Sequence, residues 1–169
     1  MDKKAGVLLL TISLLWGSNY LKDNRFFLGI DGGGTRIESS KTGMIELKWG
    51  YDYYISNPLQ FSNRIYLSVM RLAGVDRDIH GAELHYDFVF NNHTIARPYV
   101  GFLMGYASRY RNGSGADKDF FTYGGELGVL FYLGDHWELE VGGAVNNGSS
   151  GGDWKESLKR YFIGFNYTF

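Results

Sequence analysis

Apolar residues recur at every second position along most of the chain beyond residue 18. The end of the chain shows this best, since one face is mostly small or polar while the other carries only apolar side chains, those of Tyr161, Ile163, Phe165, Tyr167 and Phe169. Because successive side chains of a β-strand point to opposite faces, a period of two predicts strands and not helices. The sequence therefore predicts eight strands, near residues 25 to 33, 44 to 54, 64 to 72, 81 to 90, 98 to 107, 121 to 132, 137 to 145 and 159 to 169.

The two faces of these predicted strands differ in bulk as well as in polarity. In the fifth strand, Phe102 and Met104 alternate with Gly101 and Gly105. The interior of an eight-stranded barrel is just wide enough for side chains to fill, so the bulky apolar face belongs outside and the small or charged face inside. A soluble barrel has the opposite arrangement. The predicted fold class is all-β, an eight-stranded antiparallel up-and-down transmembrane β-barrel with both termini on one side.

Charged residues accumulate on the predicted inner face. With one histidine, they are Glu46, Lys48, Asp52, Glu83, His85, Asp87, Glu126, Glu138 and Glu140. Charges inside a low-dielectric lumen must pair or contact water, so we expect Lys48, together with Arg36 or an arginine of the third strand, to pair with several glutamates. The prediction is a charge network that fills the lumen. The alternative is a narrow ion path that prefers cations because acidic residues are in excess. The sequence does not decide which face of the third strand points into the lumen.

The predicted connections differ between the two ends of the barrel. Those after the second, fourth and sixth strands are compact, whereas those after the odd strands include the polar stretches 109 to 119 and 146 to 157. Short turns on the side of the termini and longer loops opposite are typical of outer-membrane barrels. We therefore expect the termini on the periplasmic side and the longer loops at the cell surface.

Residues 1 to 17 have the pattern of a secretory signal peptide. A charged start at residues 2 to 4 precedes an apolar run over residues 5 to 16. That run is shorter than the ~20 residues that a membrane-spanning helix needs, but it fits the apolar part of a signal peptide. The predicted organisation is a signal peptide over residues 1 to 17 and a barrel domain over residues 18 to 169.

Composition and motifs exclude several classes of protein. The chain has no cysteine, which excludes disulfides and cysteine nucleophiles, and its formal net charge of -1 gives no reason to expect a nucleic-acid partner. The histidines form neither a close metal-binding pair nor a His-x-Ser pattern, so we predict no metal, no cofactor and no enzymatic activity. Residues 29 to 35 are similar to the first phosphate loop of sugar kinases and actin-like ATPases, but we find no second phosphate loop and no room for the larger two-lobed fold.

Three segments carry motifs of known proteins. Residues 98 to 106 contain a P-Y-V-G-x-x-x-G-Y pattern, residues 124 to 137 contain a glycine-rich strand that ends in Asp-His-Trp, and the chain ends on an alternating aromatic strand at Phe169. These segments resemble the small outer-membrane barrels of the OmpA-like and opacity-type families, and the last resembles the signature by which such barrels are recognised for insertion.

The resemblance implies a place in the outer membrane of a Gram-negative bacterium, contact with outer-membrane lipid, and insertion by the barrel-assembly machinery. We further expect a monomer without a periplasmic domain, and therefore without wall anchoring. The expected role is envelope structure or passage of small solutes and ions. The alternatives are a surface adhesin or receptor that acts through its outer loops, and a lipid-modifying barrel enzyme.

Overall fold

The computed structural model describes residues 24–37, 40–54, 61–74, 77–90, 95–111, 116–150 and 154–169. Eight strands make up nearly all of this part of the chain: β1 (Arg25–Ile37), β2 (Ser40–Tyr54), β3 (Phe61–Ala73), β4 (Arg77–Phe90), β5 (Ala96–Arg111), β6 (Ala116–Tyr132), β7 (Trp137–Ser150) and β8 (Trp154–Thr168). The predicted signal peptide, residues 1 to 17, lies outside the described residues and stays a prediction. No helix in the described part of the chain is long and apolar enough to cross a membrane.

The strands form one closed barrel in which each strand pairs antiparallel with the next along the chain. The barrel closes between β1 and β8, where Phe27 pairs with Thr168 and the Phe169 amide donates to the Phe26 carbonyl oxygen at 2.9 Å. The start of β1 and the end of β8 therefore lie at one end of the barrel, which we call the termini end; the opposite end is the far end. This topology confirms the predicted eight-stranded antiparallel up-and-down barrel.

The outer surface of the barrel is apolar. Leu28, Phe102 and Ile163 are 54%, 48% and 53% exposed, and large exposed apolar side chains occur on all eight strands. Together they form a belt around the barrel. A water-soluble monomer rarely exposes an apolar surface of this extent, whereas the hydrocarbon of a bilayer covers it. The assignment of the bulky apolar face to the outside is therefore confirmed.

The third strand, β3, has an unambiguous phase in the structure. Ile65 and Leu67 face outward, which turns Arg64 into the lumen and leaves Arg71 on the outer surface. Arg71 lies near the far end of β3, where it pairs with Ile45 of β2, and donates a hydrogen bond to Asp78 at 2.7 Å. An arginine on the outer face is tolerated here because it lies near the far end of its strand and is hydrogen bonded to Asp78.

The strands are longer at the far end than predicted. β1 continues through its glycine run to Ile37 and pairs there with both β2 and β8. The connections after β1, β3, β5 and β7 therefore span only two, three, four and three residues, whereas those at the termini end span six, five and four. The prediction of longer loops opposite the termini is wrong. The strands were located by their apolar alternation, which stops at the polar residues near the far end. Backbone pairing does not depend on that alternation and continues through these residues.

Apolar side chains fill the lumen at its far end. We call this cluster the far-end plug; it consists of Met44, Met70, Leu72, Ile79, Leu103, Ala107, Phe120, Ala144, Leu158 and Phe162. Leu72 and Leu158 are both 0% exposed. A smaller apolar cluster toward the termini end includes Val89 and Leu130. Between these two clusters the interior is polar.

Candidate functional site

The nine residues predicted on the inner face lie inside the barrel, and each is at most 6% exposed. The buried charges of the lumen also include Asp31, Arg64, Arg97 and Arg160. Most of these residues form two groups. The Glu140 cluster consists of Asp31, Lys48, Asp52, Arg64, Glu138 and Glu140. The His85 cluster, which adjoins the far-end plug, consists of Glu46, Glu83, His85, Glu126 and Arg160.

Glu140 links the two cations of the Glu140 cluster. Its Oε2 lies 2.5 Å from Lys48 Nζ and 3.4 Å from Arg64 Nη1. The same two cations bind the remaining carboxylates, with Asp31 at 3.0 Å from Lys48, and Asp52 at 2.7 Å and Glu138 at 2.6 Å from Arg64. Every carboxylate of the cluster therefore has a cationic partner, which offsets much of the cost of burying it.

Neutral donors complete the surroundings of Glu140. The Tyr99 hydroxyl donates to Oε1 at 2.7 Å and the Asn166 side-chain amide donates to Oε2 at 2.9 Å. The Arg64 guanidinium also lies 4.2 Å from the centre of the Phe27 ring, a cation–π contact. Charge pairs that are also hydrogen bonded in this way form a rigid filling rather than a mobile one.

His85 connects three strands within the His85 cluster. Its Nδ1 lies 2.7 Å from Glu126 Oε1, and its Nε2 lies 3.1 Å from Ser68 Oγ. Its ring stacks on that of Tyr66 at 4.2 Å between centroids, and the Tyr66 hydroxyl donates to Glu126 at 3.2 Å. These contacts fix both the position and the plane of the imidazole.

Arg160 binds the remaining carboxylates of the His85 cluster unequally. Its Nη2 lies 2.7 Å from Glu83 Oε2, while its Nη1 lies 3.5 Å from Glu46 Oε2. Glu83 Oε1 also accepts hydrogen bonds from Thr122 at 2.9 Å and from Asn146 at 2.7 Å. Glu83 is therefore well satisfied, whereas Glu46 Oε1 has no hydrogen-bond partner.

Glycines on the inner face make room for buried carboxylates. Asp31 pairs across the strands with Gly164, and Asp87 pairs with Gly101. A Cβ at either glycine would collide with the carboxylate opposite. The alternation of small and acidic residues on this face therefore reflects a steric match between neighbouring strands.

Solved structures identify the fold, although no family profile and no curated protein sequence matches the chain. Neisserial surface protein A superposes with a TM-score of 0.66 at 12% identity, over 86% of this chain and 97% of that one. Ail, the attachment invasion locus protein of Yersinia pestis, gives 0.58 at 14% identity over 86% and 97%. The outer membrane enzyme PagL gives 0.57 at 13% identity over 83% and 97%.

The chain has the fold of a small bacterial outer-membrane barrel. The outer-membrane barrels with this fold have different roles, since one is described as a surface protein, one as an attachment and invasion protein and one as an enzyme. The shared fold therefore does not show which role this barrel has, and its function has to be inferred from its own side chains.

This outer-membrane barrel contains a series of hydrogen-bonded side chains, from Ser68 to His85 and from His85 to Glu126. The nucleophile, base and orienting carboxylate of a hydrolase are arranged in the same order. Sequence spacing could not reveal them, because they come from β3, β4 and β6. A nucleophile needs space for its substrate, yet Ser68 is 1% exposed inside the lumen. The groove of about 540 Å³ on the apolar outer face, lined by residues such as Phe26 and Trp49, does not include Ser68.

Sequence analysis missed three charged residues of the lumen, Asp31, Arg97 and Arg160. Asp31 lies in the segment that resembled a phosphate loop, and Arg97 precedes the predicted fifth strand. Arg64 is an arginine of the third strand, as expected for a partner of the glutamates, and it binds Glu138 and Glu140. Arg160 could have been found, because it alternates in phase with the inward-facing positions of β8. Arg36, an expected partner of the glutamates, has a side chain outside the described part of the structure.

Proposed function

We propose that this outer-membrane barrel is a closed structural element of the envelope that passes no solute through its lumen. The observation that carries the proposal is the filling of the described lumen by the far-end plug and the two charge clusters. Side chains across the full width of the barrel, among them Leu72, Glu140 and Leu158, are 0% exposed. A small eight-stranded barrel filled in this way has no room for a channel.

The contacts of the charged residues support a filling rather than an ion path. Conduction requires ion sites that bind weakly enough to exchange. In the Glu140 cluster the carboxylates are instead held by fixed cations at 2.5 to 3.4 Å. A moving cation would have to displace Lys48 or Arg64 from its carboxylate partners, which is costly in a low-dielectric interior.

Conductance measurements test the closed lumen. We expect the folded protein, inserted in a planar lipid bilayer, to show no discrete current steps, while a general porin inserted in the same way serves as the positive control. Insertion is verified separately in liposomes by heat-modifiable migration. Regular current steps from the wild-type protein would contradict the proposal and support the cation path.

The remaining parts of the proposal concern partners and chemistry. We propose a monomer in outer-membrane lipid that is inserted by the barrel-assembly machinery and that has no nucleic-acid partner and no enzymatic activity. The complete apolar belt supports contact with lipid on all sides, and the burial of Ser68 supports the lack of hydrolase activity. A recognition role at the cell surface stays a prediction, because the connections between strands at the far end lie largely outside the described residues.

A further inference from the structure

Three side chains that can bind a metal meet inside the His85 cluster. Glu46 Oε1 and Glu83 Oε2 each lie 3.6 Å from His85 Nε2. Each of the three residues offers a ligand atom within 4.8 Å of those of the other two. Glu46 belongs to β2 and the other two residues to β4, with β3 between them in the sheet. Only the closed barrel brings the three together, so the spacing of the histidines along the chain gave no sign of the group.

The distances in this group are close to those around a bound ion. In a tetrahedral zinc site with bonds of about 2.0 to 2.2 Å, neighbouring ligand atoms are about 3.3 to 3.6 Å apart. The separations of 3.6 Å from His85 Nε2 to the two carboxylate oxygens therefore fit an ion with small side-chain movements.

Glu46 has an unsatisfied oxygen that faces the group. The residue is 3% exposed, and its Oε1 has no hydrogen-bond partner. Buried polar atoms are nearly always hydrogen bonded, so an isolated carboxylate oxygen in a barrel interior calls for a cation or a proton. The same Oε1 lies 3.6 Å from His85 Nε2, so the two atoms could bind one ion.

His85 is held in the orientation of a metal ligand. Its Nδ1 lies 2.7 Å from Glu126 Oε1, so a proton on Nδ1 leaves Nε2 free to act as a ligand, with Glu46 Oε1 and Glu83 Oε2 each 3.6 Å from it. Histidine ligands of metals are usually supported by such a carboxylate on the second nitrogen. Ser68 Oγ, 3.1 Å from Nε2, lies beside the position of a fourth ligand.

The charge of the lumen favours a bound cation. The described lumen contains eight buried carboxylates against four buried lysine and arginine residues. Within the His85 cluster, three glutamates face a single arginine, Arg160. Asp87, also in the lumen, has two carboxylate oxygens without a hydrogen-bond partner. Uncompensated negative charge is costly in a low-dielectric interior, and a divalent ion would reduce that cost.

We propose that Glu46, Glu83 and His85 form a binding site for a divalent metal ion inside the barrel. One imidazole and two carboxylates, with an adjacent hydroxyl, are a ligand set that suits Zn²⁺. The ion is structural: it ties β2 to β4 next to the far-end plug. Because the surrounding lumen is closed, the ion enters while the barrel folds.

The test uses the full chain, unfolded and freed of metal, then folded in detergent with zinc chloride and desalted. Only protein with heat-modifiable migration is counted as folded. We expect elemental mass spectrometry to find one zinc per folded barrel, and Glu46→Gln and His85→Gln to reduce zinc to background. Glu126→Gln, which keeps the ligands but removes their support, weakens zinc binding about 10- to 100-fold.

A matched control and a second metal keep the test decisive. Glu138→Gln removes a buried glutamate of the Glu140 cluster and retains its zinc. Wild-type protein folded with Co²⁺ instead shows the visible absorption of a four-coordinate site, a result that depends on no variant. The site is overturned if the wild type holds neither metal, if Glu46→Gln retains full zinc, or if Glu138→Gln loses as much zinc as Glu46→Gln.

Discussion

Arg64 holds three carboxylates that come from two sides of the lumen. Asp52 lies on the neighbouring strand β2, whereas Glu138 and Glu140 lie on β7 across the barrel. The guanidinium group suits this position because it has five donors in a fixed plane and stays charged when buried. A single residue thus connects opposite walls of the barrel.

We expect Arg64→Ala to lower the free energy of unfolding by about 3 to 5 kcal/mol, because it leaves buried carboxylates without their cation. Urea unfolding in detergent, followed by tryptophan fluorescence, measures the change. Arg71→Ala is the matched control, since it removes an arginine that pairs on the outer surface, and it should change stability little. An equal decrease in the free energy of unfolding in the two variants would show that the ion pairs inside the lumen stabilise the barrel no more than the pair on its surface.

The last strand, β8, carries two different patterns on its two faces. Its inner face supplies Arg160 and Asn166 to the charge clusters, while its outer face ends in exposed aromatics such as Phe165 and Phe169, which are 50% and 65% exposed. An aromatic at the end of the belt is stable at the membrane interface. The alternating aromatics of this strand also form the predicted insertion signature.

We expect Phe169→Ala to reduce the amount of barrel assembled in cells while leaving folding into detergent in vitro unchanged, because recognition for insertion is needed only in cells. Leu127→Ala is the control, since Leu127 is 68% exposed on the belt but lies outside the signature. Folded and unfolded fractions in the membrane are compared by heat-modifiable migration. If both variants assemble equally well, the end of the chain carries no insertion signal.

The sequence predicts the strands well and their contacts across the lumen poorly. A period of two identifies the inner face of β7, with Glu138 and Glu140, without any knowledge of the rest of the chain. Which cation meets them depends on the stagger of eight strands around the barrel, which alternation does not contain. The meeting of Glu46, Glu83 and His85 depends on the same stagger and could not be predicted either. The far ends of the strands could not be located, because backbone pairing continues there without an apolar pattern.

At the scale of the whole molecule, we expect the folded protein to migrate faster on a detergent gel before boiling than after it, and to fractionate with the outer membrane. Closed barrels resist detergent because every strand edge is paired. Recovery in the soluble fraction, or a single mobility before and after boiling, would contradict the membrane barrel.

The pairing of β1 with β8 joins the earliest and the latest strands of the chain. A nascent chain that stops anywhere before β8 therefore leaves two open edges, and unpaired backbone groups are not tolerated in hydrocarbon. Closure of the barrel in the membrane must wait until β8 has been synthesised. We therefore expect the interval before closure to be the stage at which the chain is most prone to aggregate.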